Sequence, residues 1–188
     1  CGVVYQLVNG YFRIELEVYF LDFFYANFLA YAIWSGVMIT IQVLVNNKYI
    51  GYFVSISVIF IWSIVLEIFD VSSFMLTIAA GPSTLYSDMN AFGPGLYGAM
   101  MFNPYWFLFS ILCLLMAGAL WHSGLRSSLK DRLNIAKKQV PRNYRPLIVG
   151  TAFVWLVVTG FVFYNTQKLN PYKTSDEYEQ MAADYEKQ

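Results

Sequence analysis

Apolar residues fall into four long runs separated by short polar or glycine- and proline-rich stretches. Phe23 to Val45 contains no charged residue and, at about 1.5 Å per residue, reaches roughly 34 Å, enough to cross a hydrocarbon core of about 30 Å. Asn46, Asn47 and Lys48 form a very short turn, after which Tyr49 to Leu66 gives a second span that exits at Glu67 and Asp70. So short a turn forces the two spans into an antiparallel hairpin. From Asp70 to Asn103 the hydropathy is interrupted by Gly81, Pro82, Gly93, Pro94, Gly95 and Gly98, with Pro104 just beyond. Glycine and proline at this density predict short helical pieces and turns. Because Phe74, Met75, Leu76, Ile78 and Met100 to Phe102 keep the stretch apolar, these pieces are expected to lie on or dip into the outer face. Tyr105 to Trp121 is the third span and Leu147 to Tyr164 the fourth. The pattern predicts an all-α fold, a polytopic transmembrane helical bundle of about four spans over residues 23–164.

The flanks differ in character. Residues 1–22 hold Gln6, Asn9, Arg13, Glu15 and Glu17 among apolar positions, with Phe12, Leu16 and Tyr19 at helical spacing. Ile14 to Val18 also alternates as a strand would, so periodicity alone does not decide. An interfacial amphipathic helix is expected, since an open strand edge cannot persist at membrane depth. Residues 165–188 are polar; Thr174 followed three residues later by Glu177 fits a capping box, with Asp176 in an acidic first turn. This predicts a linker helix outside the membrane. A start at Cys1 without methionine and an end within a charged, helix-prone run are expected of a fragment of something longer. The opening CGVVYQLVNG lacks the basic flank and cleavage pattern of a signal peptide, and a lipoprotein reading of Cys1 would need a preceding signal.

Composition supports the membrane reading. Of 188 residues, 58% are hydrophobic and only 13% charged, more apolar surface than a soluble domain of this size buries. A net charge of zero gives no reason to expect a nucleic-acid partner; the expected surroundings are the lipid bilayer. Charge sets the orientation instead. Arg126, Lys130, Arg132, Lys137, Lys138, Arg142 and Arg145 place seven of the twelve Lys and Arg in Leu125 to Pro146, which reads as a cytoplasmic loop by the positive-inside rule. Lys48 falls on the same side, while Asp70, Asp88 and the acidic tail fall on the other, giving both termini outside.

Little in the sequence carries bond chemistry. Cys1 and Cys113 define neither a disulfide framework nor a metal site, and His122 stands without a second ligand at metal-binding spacing. Zinc-helix, nucleophile-elbow and phosphate-loop signatures are absent, so no enzymatic activity is expected of this chain, and an intramembrane enzyme lacks a nucleophile–base pair. Glu67 is either an intramembrane proton or ion ligand or a snorkelling interfacial carboxylate. In the first span Asn27, Tyr31, Ser35, Met38 and Gln42 recur at helical spacing. That face serves interhelical packing, or else a substrate path or dimer interface. Tyr105, Trp106, Trp121 and Tyr164, close to span ends, read as aromatic-belt residues.

Two stretches, Val43-Leu44-Val45-Asn46-Asn47-Lys48-Tyr49-Ile50-Gly51-Tyr52 and Tyr86-Ser87-Asp88-Met89-Asn90-Ala91-Phe92-Gly93, together resemble the permease part of large bacterial, Bacteroidetes-like membrane proteins. In these, a type-2 ABC-transporter permease is fused to a C-terminal gluzincin aminopeptidase. The tail, from Tyr164-Asn165-Thr166 through Asp184-Tyr185-Glu186-Lys187, is similar to the connector preceding that peptidase. The resemblance implies a permease component of an exporter in the bacterial inner membrane, paired with a second permease copy and an ABC ATP-binding subunit. ATP would sit on that subunit and zinc only in the peptidase domain, so this chain itself would hold no cofactor. The Lys48 turn and basic loop would face the ATPase. Ser87, Asp88 and Asn90 would line an extracytoplasmic gate, or simply form a turn with an Asx cap. The alternative is that the spans only anchor an external zinc aminopeptidase.

Overall fold

The computed structural model describes residues 2–10, 12, 19–45, 47–69, 73–82, 95–121, 141 and 144–169. Its elements are α1 (Gly2–Val8), a π-helical stretch Tyr19–Phe28 that runs into α2 (Leu29–Val45), α3 (Lys48–Ile68), α4 (Gly95–Trp121) and α5 (Tyr144–Tyr164), which continues as π-helix through Asn165–Leu169. Among the described residues there is no strand, as the sequence pattern predicts. Lys48–Ile68, Gly95–Trp121 and Tyr144–Leu169 are each long and apolar enough to span a bilayer. α2 alone has 17 residues and reaches spanning length with its π-helical lead-in.

α1 ends where Asn9 and Gly10 follow. The Asn9 amide and side chain both donate to the Tyr5 carbonyl, at 3.1 and 2.8 Å, and Gly10 adopts a φ of 78° that a side chain would disfavour. Val4, Tyr5 and Val8 on this short helix are exposed; Arg13, Glu15, Leu16 and Glu17 of the expected interfacial helix lie outside the described residues.

The hairpin forms as expected. Asn47 has extended backbone angles and its Oδ1 accepts from the amides of Tyr49 and Ile50 at 3.1 and 3.3 Å, capping the first turn of α3. Lys48 is exposed there, its Nζ 4.9 Å from the Tyr49 ring centroid. Helix packing runs principally α3–α2–α4–α5. Val43 clusters with Ala117 and Leu120, and the Tyr144 hydroxyl donates to the Leu115 carbonyl at 3.2 Å. The turn at Asn47, the end of α4 and the start of α5 therefore share one end of the bundle. Arg145 is exposed on the first turn of α5. Arg126, Lys130, Arg132, Lys137, Lys138, Arg142 and His122 lie outside the described residues.

In lipid no hydrophobic force drives apolar helices together, so close packing and hydrogen bonds must do it. Gly36 lets the Ser110 hydroxyl sit against α2, where it donates to the Ile33 carbonyl at 3.2 Å. Gly51 brings α3 onto α2: a Cβ there would stand 3.4 Å from Gln42 Cα.

The third span differs from expectation. Gly95 to Asn103, read as part of a broken segment, is the beginning of one 27-residue helix that passes through Gly98 and Pro104. Gly98 is a contact residue rather than a breaker, because a Cβ there would collide with the Pro82 ring. Pro104 removes only one backbone donor, a loss that membrane helices tolerate. The segment between the second and third spans, expected as short helical pieces and turns, is turns without helix over 73–82, and residues 70–72 and 83–94 lie outside the described residues. Of the linker helix read over 165–188, Asn165–Leu169 continue α5 as π-helix, and residues 170–188 lie outside the described residues.

Candidate functional site

Residues 73–82 form a strap of consecutive turns seated in the end of the bundle away from Lys48. The Ser73 carbonyl accepts from the amides of Leu76 and Thr77 at 3.0 and 3.3 Å, and the Ser73 hydroxyl accepts from the Met75 amide at 3.4 Å. Farther on, the Ala80 amide donates to the Thr77 carbonyl at 3.1 Å. These turns leave the carbonyls of Phe74, Met75 and Leu76 to be satisfied from outside the strap. Each receives one aromatic donor: Trp106 Nε1 reaches the Phe74 carbonyl at 3.0 Å, the Tyr105 hydroxyl the Met75 carbonyl at 3.3 Å, and Trp62 Nε1 the Leu76 carbonyl at 2.8 Å.

The depth of these contacts explains why donors are needed. Trp106 lies fifteen residues from Trp121 at the opposite end of α4, or about 22 Å along the axis, within a hydrocarbon core of about 30 Å measured from Trp121. Non-helical backbone persists at that depth only where protein satisfies it. Tyr105 and Trp106 are 7% and 5% exposed, so the expectation that they are aromatic-belt residues is corrected: their polar tips serve the strap. Trp121 and Tyr164 are exposed in the manner a belt requires.

Around the strap, Met75, Ile78 and Ala79 pack on a core of Ile33, Phe102, Tyr105, Trp106 and Val162. Phe74 meets Phe102 edge-on at 5.4 Å, and Tyr105 stacks on Trp155 at 5.9 Å. Asn103 Nδ2 donates to the Tyr25 carbonyl at 3.3 Å, tying α4 to the π-helical lead-in of α2. Thr166 donates to the Val162 carbonyl at 2.9 Å with the Met75 sulfur 3.7 Å away. Ala79 has a φ of 56°, the left-handed region, which costs a residue with a Cβ about 1–2 kcal/mol. Ala79→Gly is therefore expected to raise stability by up to about 1 kcal/mol in a reversible unfolding titration in mixed micelles, because glycine's own entropy cost offsets part of the relief. A loss of stability would mean that the methyl group's packing outweighs the strain.

The residues singled out from the sequence are distributed differently. Ser35 donates to the Tyr31 carbonyl at 2.8 Å; both residues are exposed, as is Asn27, with Tyr31 at 71%. Met38 is half-buried, and Gln42, also half-buried, lies against Gly51 of α3. α2 instead packs on α4 through Ile33 and Gly36, a face its polar periodicity does not mark. Glu67 is exposed at the end of α3. Ser87, Asp88 and Asn90 lie outside the described residues. Among the described residues no group of His, Cys, Asp and Glu could hold a metal ion.

Long apolar helices, an antiparallel hairpin and a strap seated among the helices define a multi-pass helical membrane protein. No family model matches the chain, and no curated protein or solved structure shows significant similarity to it.

Proposed function

We propose that the chain is a permease component of an ABC-type exporter in the bacterial inner membrane, part of a translocation path driven by a separate ATP-binding subunit. The observation that supports this reading is the order of elements: an antiparallel hairpin, α2–α3, then a non-helical strap in the outer end of the bundle, then a returning span, α4. The type-2 permease resemblance implies two antiparallel spans, a broken-helix segment and a returning span, and the strap stands where that segment is expected. On this reading the end bearing Lys48 and the basic loop docks the ATPase. The exposed Asn27, Tyr31 and Ser35 face of α2 meets a second permease copy or lines the path. ATP is held by the partner and zinc only by a peptidase domain of the parent protein, so no residue here makes or breaks a bond.

The test is the ATPase rate of the full-length protein reconstituted in lipid with its candidate ATP-binding subunit, alone and with Lys48→Ala or Asp88→Ala. Stimulated turnover that either change disturbs, with folding intact, supports the exporter. No association with any ATPase leaves the spans as a membrane anchor for an external aminopeptidase.

A further inference from the structure

The approach to α2 is wound differently from the span it enters. Tyr19–Phe28 is π-helical over ten residues, and α2 begins at Leu29. A π-helix closes on the fifth residue ahead and an α-helix on the fourth. Where one hands over to the other, the carbonyls of Phe24 and Tyr25 address the same amide, that of Leu29, and one carbonyl is left short of a donor. Asn103 supplies it, its Nδ2 donating to the Tyr25 carbonyl at 3.3 Å. Asn103 is 8% exposed. It stands on α4 about 27 Å from Trp121, within the depth of a hydrocarbon core, where a carbonyl without a protein partner is costly. The π stretch that ends α5 is served from within its own helix, the Thr166 hydroxyl donating to the Val162 and Phe163 carbonyls. For the lead-in of α2, by contrast, a neighbouring helix reads the register. A π run of this length is poor by itself and needs such support.

We propose that the lead-in is a two-register switch, π-helical while Asn103 holds the Tyr25 carbonyl and α-helical when that carbonyl turns to the Leu29 amide and Asn103 is released. The α form gives Tyr25 a partner in its own helix and needs no donor from α4. The π form keeps the interhelical bond at the expense of poorer helix geometry, a balance that leaves both forms populated. Because a π turn holds more residues than the 3.6 of an α turn, conversion rotates the lead-in about its axis, by about 100° for each residue of register. On a helix about 10–12 Å across, that carries an outward side chain about 8 Å. Asn103 adjoins Phe102, which meets Phe74 of the strap, and lies two residues from Tyr105, which holds the Met75 carbonyl. Rotation of the lead-in therefore acts on the turn of α4 that seats the strap. This goes beyond the exporter reading and does not need an ATPase to be true.

The test is a distance distribution between spin labels at Phe20→Cys on the lead-in and Tyr97→Cys at the outer end of α4, where both native side chains are exposed. The measurement uses the whole chain in lipid vesicles, with Cys1 and Cys113 replaced, and no nucleotide or partner. The expected result is a major distance and a minor one displaced from it by several ångströms. Asn103→Leu, which keeps the volume and loses the donor, raises the minor population about three- to fivefold, the ratio that corresponds to one neutral hydrogen bond between membrane helices. Asn103→Ala, which opens space instead of filling it, shifts the ratio in the same direction. Thr166→Val leaves it unchanged, since the bonds it removes lie within α5 and its π-helical end. A second label pair, Ile39→Cys on α2 and Met116→Cys on α4, both exposed, keeps one distance in every variant. A single Phe20–Tyr97 distance throughout, or a ratio that neither Asn103 variant alters, overturns the switch. A change that appears equally in the second pair overturns it too, since Asn103 would then only pack the bundle. Failure of the ATPase measurement would overturn the exporter reading and leave these distances as they are.

Discussion

Trp106→Ala is expected to be the most damaging single truncation in the bundle, lowering stability by about 3–5 kcal/mol, the range found when a buried indole is removed. The ring fills the outer core between Tyr105, at 5.0 Å, and Phe109, at 5.6 Å, and its N–H holds the Phe74 carbonyl. Trp106→Phe separates the two contributions. It keeps most of the packing but leaves a carbonyl unpaired away from water, at a cost of about 1–3 kcal/mol. Reversible unfolding in mixed micelles reads both differences. A cost below about 1 kcal/mol for Trp106→Ala would show that the strap is not seated on this side chain.

The second large effect is expected where α2 crosses α4. A methyl group added at Gly36 would fall on the Ser110 hydroxyl, with Leu114 atoms 3.4 Å away. Ser110 is buried and donates to the Ile33 carbonyl. It can yield only by giving up that bond, or the helices must separate and lose packing along their length. Gly36→Ala is therefore expected to cost about 2–3 kcal/mol, the upper part of the range for overpacking. Ser110→Ala alone should cost less, about 1 kcal/mol. Because Gly36→Ser carries its own oxygen into the same space, it should be at least as harmful as Gly36→Ala. A double substitution to Gly36→Ala and Ser110→Gly is expected to recover most of the loss, a coupling that only residues in contact can show. Additive costs would contradict the close approach.

Much of the fold was legible in the sequence because the bilayer imposes a simple rule: uncharged runs long enough to cross it become helices. The hairpin at Asn47 was legible for the same reason, since three polar residues between two such runs leave no other route. What the pattern could not distinguish was glycine as a breaker from glycine as a contact. Gly98 looks like part of a loop until the Pro82 ring is placed against it, and α4 then starts well before the run read as its span. The helical face of Asn27, Tyr31 and Ser35 was visible, but periodicity does not say which neighbour covers a face, and α4 covers the adjacent one through Ile33 and Gly36. Trp62, Tyr105 and Trp106 had no signal of their own. Aromatic residues close to span ends are ordinary in membrane proteins, and their role emerges only when three successive strap carbonyls are found without partners in their own turns.

The central claim is that the strap sits at bilayer depth in a bundle whose two ends face opposite sides of a membrane. Single cysteines at Lys48, Leu76 and Gln167, in a chain with Cys1 and Cys113 replaced, can be exposed to a membrane-impermeant thiol reagent in sealed, uniformly oriented vesicles. The account predicts that the cysteine at position 48 reacts from one side only, that at 167 from the other side only, and that at 76 from neither until detergent is added. Rapid labelling at 76, or labelling of 48 and 167 from the same side, would contradict it.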